Sequence, residues 1–126
     1  MHPAHIMLLA SLAFSLPAGS QSVNPYNGTW KVVFDGAQAA SMQGKLVVKD
    51  DAGTWKVVVH LRTDTCAGRE APIAVSLATA EELVFEVQRS KVLTGCPDWS
   101  IRFKPVDDKT LKGRMGTGSV VTLLRE

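Results

Sequence analysis

Beyond residue 20 the chain carries one histidine, His60, with Arg62, Asp64 and Cys66 following at alternate positions. Alternate residues of an extended strand share a face, so His60, Arg62 and Asp64 are expected to point outward together. A metal site built on His60 would draw on Asp64, its one close carboxylate. The two cysteines form no C-x-x-C pair and have no neighbouring histidine, so no zinc-type ligand set is predicted. Hydrolytic and phosphate-binding signatures, G-x-S-x-G, the Walker loop and H-E-x-x-H, do not occur. The acidic pairs Glu81-Glu82 and Asp107-Asp108 fall in turn-like stretches, where solvated carboxylates are ordinary. A reaction centre needs a nucleophile, a base or a metal in a fixed constellation. None is visible, so the expectation is a non-enzymatic protein with no cofactor.

The same residues can serve recognition. Lys45 opens the second predicted strand, and Arg69 and Glu70 lead into the fourth. With His60, Arg62 and Asp64 they make a patch of mixed charge. Trp99 follows Cys96-Pro97-Asp98. On the rim it would be a contact residue, since Trp and Arg are enriched at binding hot spots. Its alternation with Ser100 favours an inward position.

Cys66 and Cys96 are the only cysteines, so one intramolecular pairing exists. Disulfides persist in oxidising compartments, and the first twenty residues agree. Ile6 to Leu16 is an uncharged apolar run, shorter than the roughly 20 residues that a membrane-spanning helix needs. Pro17 ends it, and Ala18-Gly19-Ser20 supplies small residues at a cleavage position. Residues 1–20 read as a secretory signal peptide, although His2 and His5 replace the usual Lys or Arg, and residues 21–126 as one domain. Secretion or a periplasmic location follows as an expectation. No later apolar stretch reaches membrane length. Asn27-Gly28-Thr29 is a glycosylation sequon, meaningful in a eukaryotic secretory pathway.

Charge is nearly balanced, with 14 Lys and Arg against 12 Asp and Glu. The lysines at 31, 45, 49, 56, 104 and 112 are dispersed along the chain with acids between them. No stripe of positive charge is legible, and no nucleic-acid partner is expected.

The elements that would position these residues are strands. Trp30, Val32 and Phe34 alternate with polar or exposed positions, as do Leu46 and Val48, then Trp55, Val57, Val59 and Leu61. The pattern continues through Ile73, Val75 and Leu77, then Leu83, Phe85 and Val87, then Trp99, Ile101 and Phe103. Leu111 marks a shorter strand, and Val121 and Leu123 the last. Asp51-Ala52-Gly53 reads as a tight turn between strands two and three, and residues 105–109 as the loop after strand six. Parallel strands need long crossovers, and none is present. The prediction is an all-β, eight-stranded antiparallel up-and-down barrel with one disulfide.

Gly28-Thr29-Trp30 on the first strand, with Arg125 on the last, resembles the signature of the calycin superfamily of lipocalins, fatty-acid-binding proteins and avidins. The resemblance implies that Trp30 packs across one barrel end beneath Arg125. It also implies a small ligand inside the barrel. The polar interior by which avidins hold biotin is missing from the predicted inner face.

In a meander, loops after odd strands share one end. Cys66 falls after strand three and Cys96 after strand five, so the topology brings them together. The longer predicted loops share that end, and elaborated loops are where β scaffolds tend to carry function. The inward aromatics Trp30, Trp55, Phe34, Phe85 and Phe103 would fill much of a barrel this size. The sequence therefore points to a binder of a protein partner through the disulfide-tied end, an inhibitor or immunity protein being one form. The alternative is a carrier of a small apolar ligand.

Overall fold

Alternation of apolar and polar residues dictates which way each strand faces, and eight such strands close into one barrel. The computed structural model describes residues 23–35, 42–59, 65–116 and 118–126, with the backbone alone at Met42, Gln43 and Val59. The strands are β1 (Gly28–Phe34), β2 (Met42–Lys49), β3 (Ala52–Val59), β4 (Ala71–Ala78), β5 (Leu83–Val87), β6 (Trp99–Asp107), β7 (Thr110–Arg114) and β8 (Val120–Arg125). Each pairs antiparallel with its neighbour along the chain, and β8 returns to β1, Trp30 opposite Arg125 and Phe34 opposite Val121. The expected eight-stranded up-and-down barrel is what forms.

The inner face is apolar throughout. Trp30, Phe85, Phe103, Leu46, Leu83, Leu111 and Leu123 are among the largest fully buried side chains. Trp99, Trp55, Phe85 and Phe103 make a continuous run of ring contacts, with centroids 5.2, 5.9 and 5.6 Å apart in that order. Gly113 makes room for this column. A Cβ there would stand 2.9 Å from a carbon of the Phe103 ring and 2.5 Å from the Arg102 carbonyl oxygen.

Two boundaries and the facing of one residue differ from expectation. Lys49 pairs with Ala52, so the β2–β3 turn is Asp50-Asp51, and Ala52-Gly53 already belongs to β3. Gly53 has φ 149°, and a Cβ at that position would meet the Val47 carbonyl oxygen at 1.9 Å. Strand β6 runs on through Pro105 and Val106 to Asp107, leaving Asp108-Lys109 as the turn. The register shift between Pro105 and Asp107 accommodates a residue that lacks an amide hydrogen. Leu77, expected inside, is 37% exposed. Val75 pairs with Phe85 and Leu77 with Val84, so Ser76 is the extra residue of a bulge. One extra residue exchanges the two faces: Leu77 turns outward and Ala78 packs against the core.

Connections at one end are tight: residues 50–51, 79–82 and 108–109. At the other end, residues 35–41, 60–70 and 88–98 make longer ones, and residues 115–119 a shorter one. Among the described residues no helix is long and apolar enough to cross a membrane.

Candidate functional site

At the loop end, strand β4 begins late. Its pairing with β3 runs from Ala52 opposite Ala74 to Trp55 opposite Ala71 and goes no further. The turn containing Cys66 takes its place: the Gly68 amide donates to the Val57 carbonyl at 2.8 Å. From there the disulfide reaches Cys96, with Cα atoms 5.7 Å apart, and joins the β3–β4 connection to the β5–β6 connection. Loop parity in a meander places both cysteines at one end, and they are bonded there.

The connection that receives Cys96 is internally braced. A single-turn 3-10 helix (Arg89–Lys91) follows Gln88, whose amide donates to the Pro72 carbonyl. Asp98 closes the loop on itself: Oδ1 accepts from the Ser90 amide and Oδ2 from the Ser90 hydroxyl, both at 2.8 Å. These bonds, the amide first, hold the Asp98 carboxyl below the usual carboxylate range, and Lys91 adds to the effect. Cys96 is buried, while Arg69, Glu70, Lys91 and Asp98 are exposed.

The predicted site residues divide. Arg69 and Glu70 lie beside Cys66 on the surface, and Arg69 Nε donates back to the Thr65 carbonyl at 3.0 Å. Trp99 is half-buried at the first position of β6 and packs edge-on against Trp55, 84° between planes. Inward and rim positions thus coincide in one residue, which ends the aromatic column beside the loops. Lys45 is not part of this end. Strand β2 starts three residues earlier than expected, at Met42, which places Lys45 in the barrel wall, opposite Lys31 and Lys56. His60, Arg62 and Asp64 lie outside the described residues, as does the predicted signal peptide.

The opposite end is closed by the residues just ahead of β1. The Trp30 indole donates to the Tyr26 carbonyl at 2.9 Å, and the Arg125 guanidinium lies over the Trp30 ring, 4.2 Å from its centroid. Arg125 also donates from Nη1 to the Asn27 carbonyl and from Nη2 to that of Pro25. The Tyr26 hydroxyl donates to the Thr79 carbonyl in the β4–β5 turn, on the far side of the ring of strands from β1. Burial, reinforced by Glu81 and Glu82, pushes this phenol above the ordinary tyrosine range.

Two asparagines pin the same segment to the β2–β3 turn. Asn27 Oδ1 accepts from the Asp50 amide at 2.7 Å and Asn27 Nδ2 donates to the Asp50 carboxylate at 3.0 Å. Asn24 Nδ2 donates to the Asp50 carbonyl at 2.8 Å. Asp50 has φ 58°, a conformation few non-glycine residues adopt and one that Asp tolerates. The one signal in the sequence was an Asx residue on either side of a proline, Asn24-Pro25 and Asn27, at the entry to a strand. Beside this clasp, β4 overruns the start of β3. An open groove of about 600 Å³ lies there, lined by Asn24, Asp50, Asp51 and residues 75–78.

Comparison with known proteins bears on the fold. No family model and no curated protein matches the chain. A solved structure of a redesigned beta barrel superposes with a TM-score of 0.50 at 16% identity, covering 81% of this chain and 92% of that one. That similarity is of architecture, an antiparallel barrel.

Proposed function

We propose that the protein is a non-catalytic, exported binding protein that contacts a protein partner through its disulfide-tied loop end. The observation that carries this reading is the Cys66–Cys96 bond, which fixes two long connections side by side. Arg69 and Glu70 are exposed next to it, and Trp99 lies half-buried beneath. A surface held in advance loses less conformational entropy on binding. An inhibitor or immunity protein against a secreted enzyme is one form such a protein takes. A disulfide also accords with export by the leader that residues 1–20 resemble.

The test is capture from native extract on the immobilised protein, comparing wild type with an Arg62→Ala, Arg69→Ala, Glu70→Ala variant. The expected result is a partner retained by wild type and weakened about tenfold or more in the variant, with melting unchanged. Equal retention by both proteins, or none by either, overturns the reading.

A calycin-like carrier is the second reading, and the Trp30–Arg125 stack favours it. It requires free space along an axis that Trp55, Phe85 and Phe103 occupy. Saturable enhancement of an apolar fluorophore, reversed by fatty acid, would support it. A fluorophore that stays dark would leave the loop-end reading standing alone.

A further inference from the structure

The lysines that are dispersed in sequence become neighbours on the barrel. Lys31 stands directly opposite Lys45, Lys45 directly opposite Lys56, and Lys104 directly opposite Lys112. All five are exposed, and among the described residues none has a carboxylate within ion-pair reach. Directly opposed like charges on adjacent strands destabilise a sheet. Here three such pairs sit on the outer wall.

Charge is segregated by position rather than mixed. Strands β6, β7, β8, β1, β2 and β3 carry a single carboxylate among their described residues, Asp107, at the last position of β6. The other acids among the described residues lie in turns, in loops, on β5 or, as Glu126, just past the end of β8, so the formal net charge of +2 conceals a cationic wall. The one strand that separates the two lysine groups, β8, presents Thr122 and Leu124, which face Lys112 and Lys31.

We infer that this wall is a second binding surface, distinct from the loop end, and that its ligand is a linear acidic polysaccharide. Four features choose that class. The cationic arc spans six of the eight strands, or about 24 Å at the usual strand spacing. A flat anionic membrane meets only part of so curved an arc, whereas a flexible chain can follow it. The outward residues of these strands include no aromatic ring, and single-stranded nucleic acid is held largely by stacking on such rings. The two arginines of the wall are occupied: Arg102 pairs with Glu82 at 3.2 Å, and Arg114 donates to the Gly118 carbonyl. The unpaired cations are all lysines, point charges that tolerate variable spacing of anions rather than the forks that grip phosphates in pairs. Thr29, Thr54, Thr110 and Thr122 lie among them and offer hydroxyls to sugar hydroxyls.

The experiment uses the folded protein and heparin as probe, with binding followed over a range of salt. The Lys31→Gln, Lys45→Gln, Lys56→Gln variant is expected to lose about tenfold or more in affinity and to show a salt slope shallower by about two. Its melting temperature should stay the same or rise, because the substitutions relieve repulsion. A control of equal charge change, Arg69→Gln, Lys91→Gln, Lys109→Gln, should bind within about twofold of wild type. Equal loss in both variants, or none in the first, overturns the inference. Tighter binding of single-stranded DNA or of anionic vesicles than of heparin, with the same lysine dependence, overturns the polysaccharide assignment. The loop-end variant should bind heparin nearly as wild type does, so this inference and the proposed partner site fail separately.

Discussion

Arg125 and Trp30 face each other across the β1–β8 seam, the guanidinium carbon 4.2 Å from the centre of the indole ring. The same guanidinium holds the carbonyls of Pro25 and Asn27. One side chain thereby joins the last strand, the first strand and the segment that leads into it.

Arg125→Ala should destabilise the protein by about 2–3 kcal/mol, from a cation–π contact and two charged hydrogen bonds lost together. Arg125→Lys should recover part of this, since a charge remains over the ring but the two-carbonyl fork does not. Urea unfolding should show lower midpoints with unchanged slope.

Removing the disulfide with Cys66→Ser and Cys96→Ser should cost about 3–4 kcal/mol by the loop-entropy estimate. If the bond acts on the two connections as proposed, amide exchange should quicken between residues 88 and 98 well before β1 and β8 are affected. Exchange that rises uniformly would show the bond to be a global staple instead.

Tyr26 is the chain's only tyrosine, so phenolate absorbance follows it alone. Its folded-state pKa is raised, chiefly by burial. The folded state therefore holds the phenolic proton more tightly than the unfolded chain, whose pKa is about 10. Stability is fully present below that value and falls as pH rises through the folded-state pKa. Tyr26→Phe should abolish this alkaline loss while costing about 1 kcal/mol at neutral pH, because the Thr79 carbonyl loses its donor.

The opposite sign holds for Asp98, whose pKa is lowered by the Ser90 amide and hydroxyl. The stabilisation is present above the unfolded value of about 3.9 and is lost as pH falls through the folded-state pKa. The protection of the Ser90 amide, relative to its intrinsic exchange rate at each pH, should fall on acidification. In Asp98→Asn that protection should be low already at neutral pH and should not change further with acid.

The strands and the disulfide were legible because alternation is local and loop parity follows from counting strands. Trp30, Phe85 and Phe103 could be assigned inward from their own neighbours in sequence. Leu77 could not, since a bulge at Ser76 depends on how β4 meets β5 rather than on the composition of β4. Lys45 was misplaced for a related reason: the strand begins at Met42, among small and polar residues that carry no apolar alternation. The clasp of Asn24 and Asn27 on Asp50 joins residues more than twenty apart through side-chain amides, which leave no periodic trace. The lysine wall was missed because sequence distance hides register. Lys31, Lys45 and Lys56 become adjacent only when the hairpins set them opposite one another.

Every strand pair but one joins neighbours along the chain; the exception is β1 with β8. During synthesis, therefore, the first strand stays half-paired until nearly the whole domain exists. Its outer edge offers open donors and acceptors, the kind of template on which unrelated strands aggregate. Completion of the ring must wait for residues 120–125, and Arg125 is also the residue that holds the segment leading into β1. Closure of this barrel therefore follows the emergence of β8, and until then the open edge of β1 needs protection.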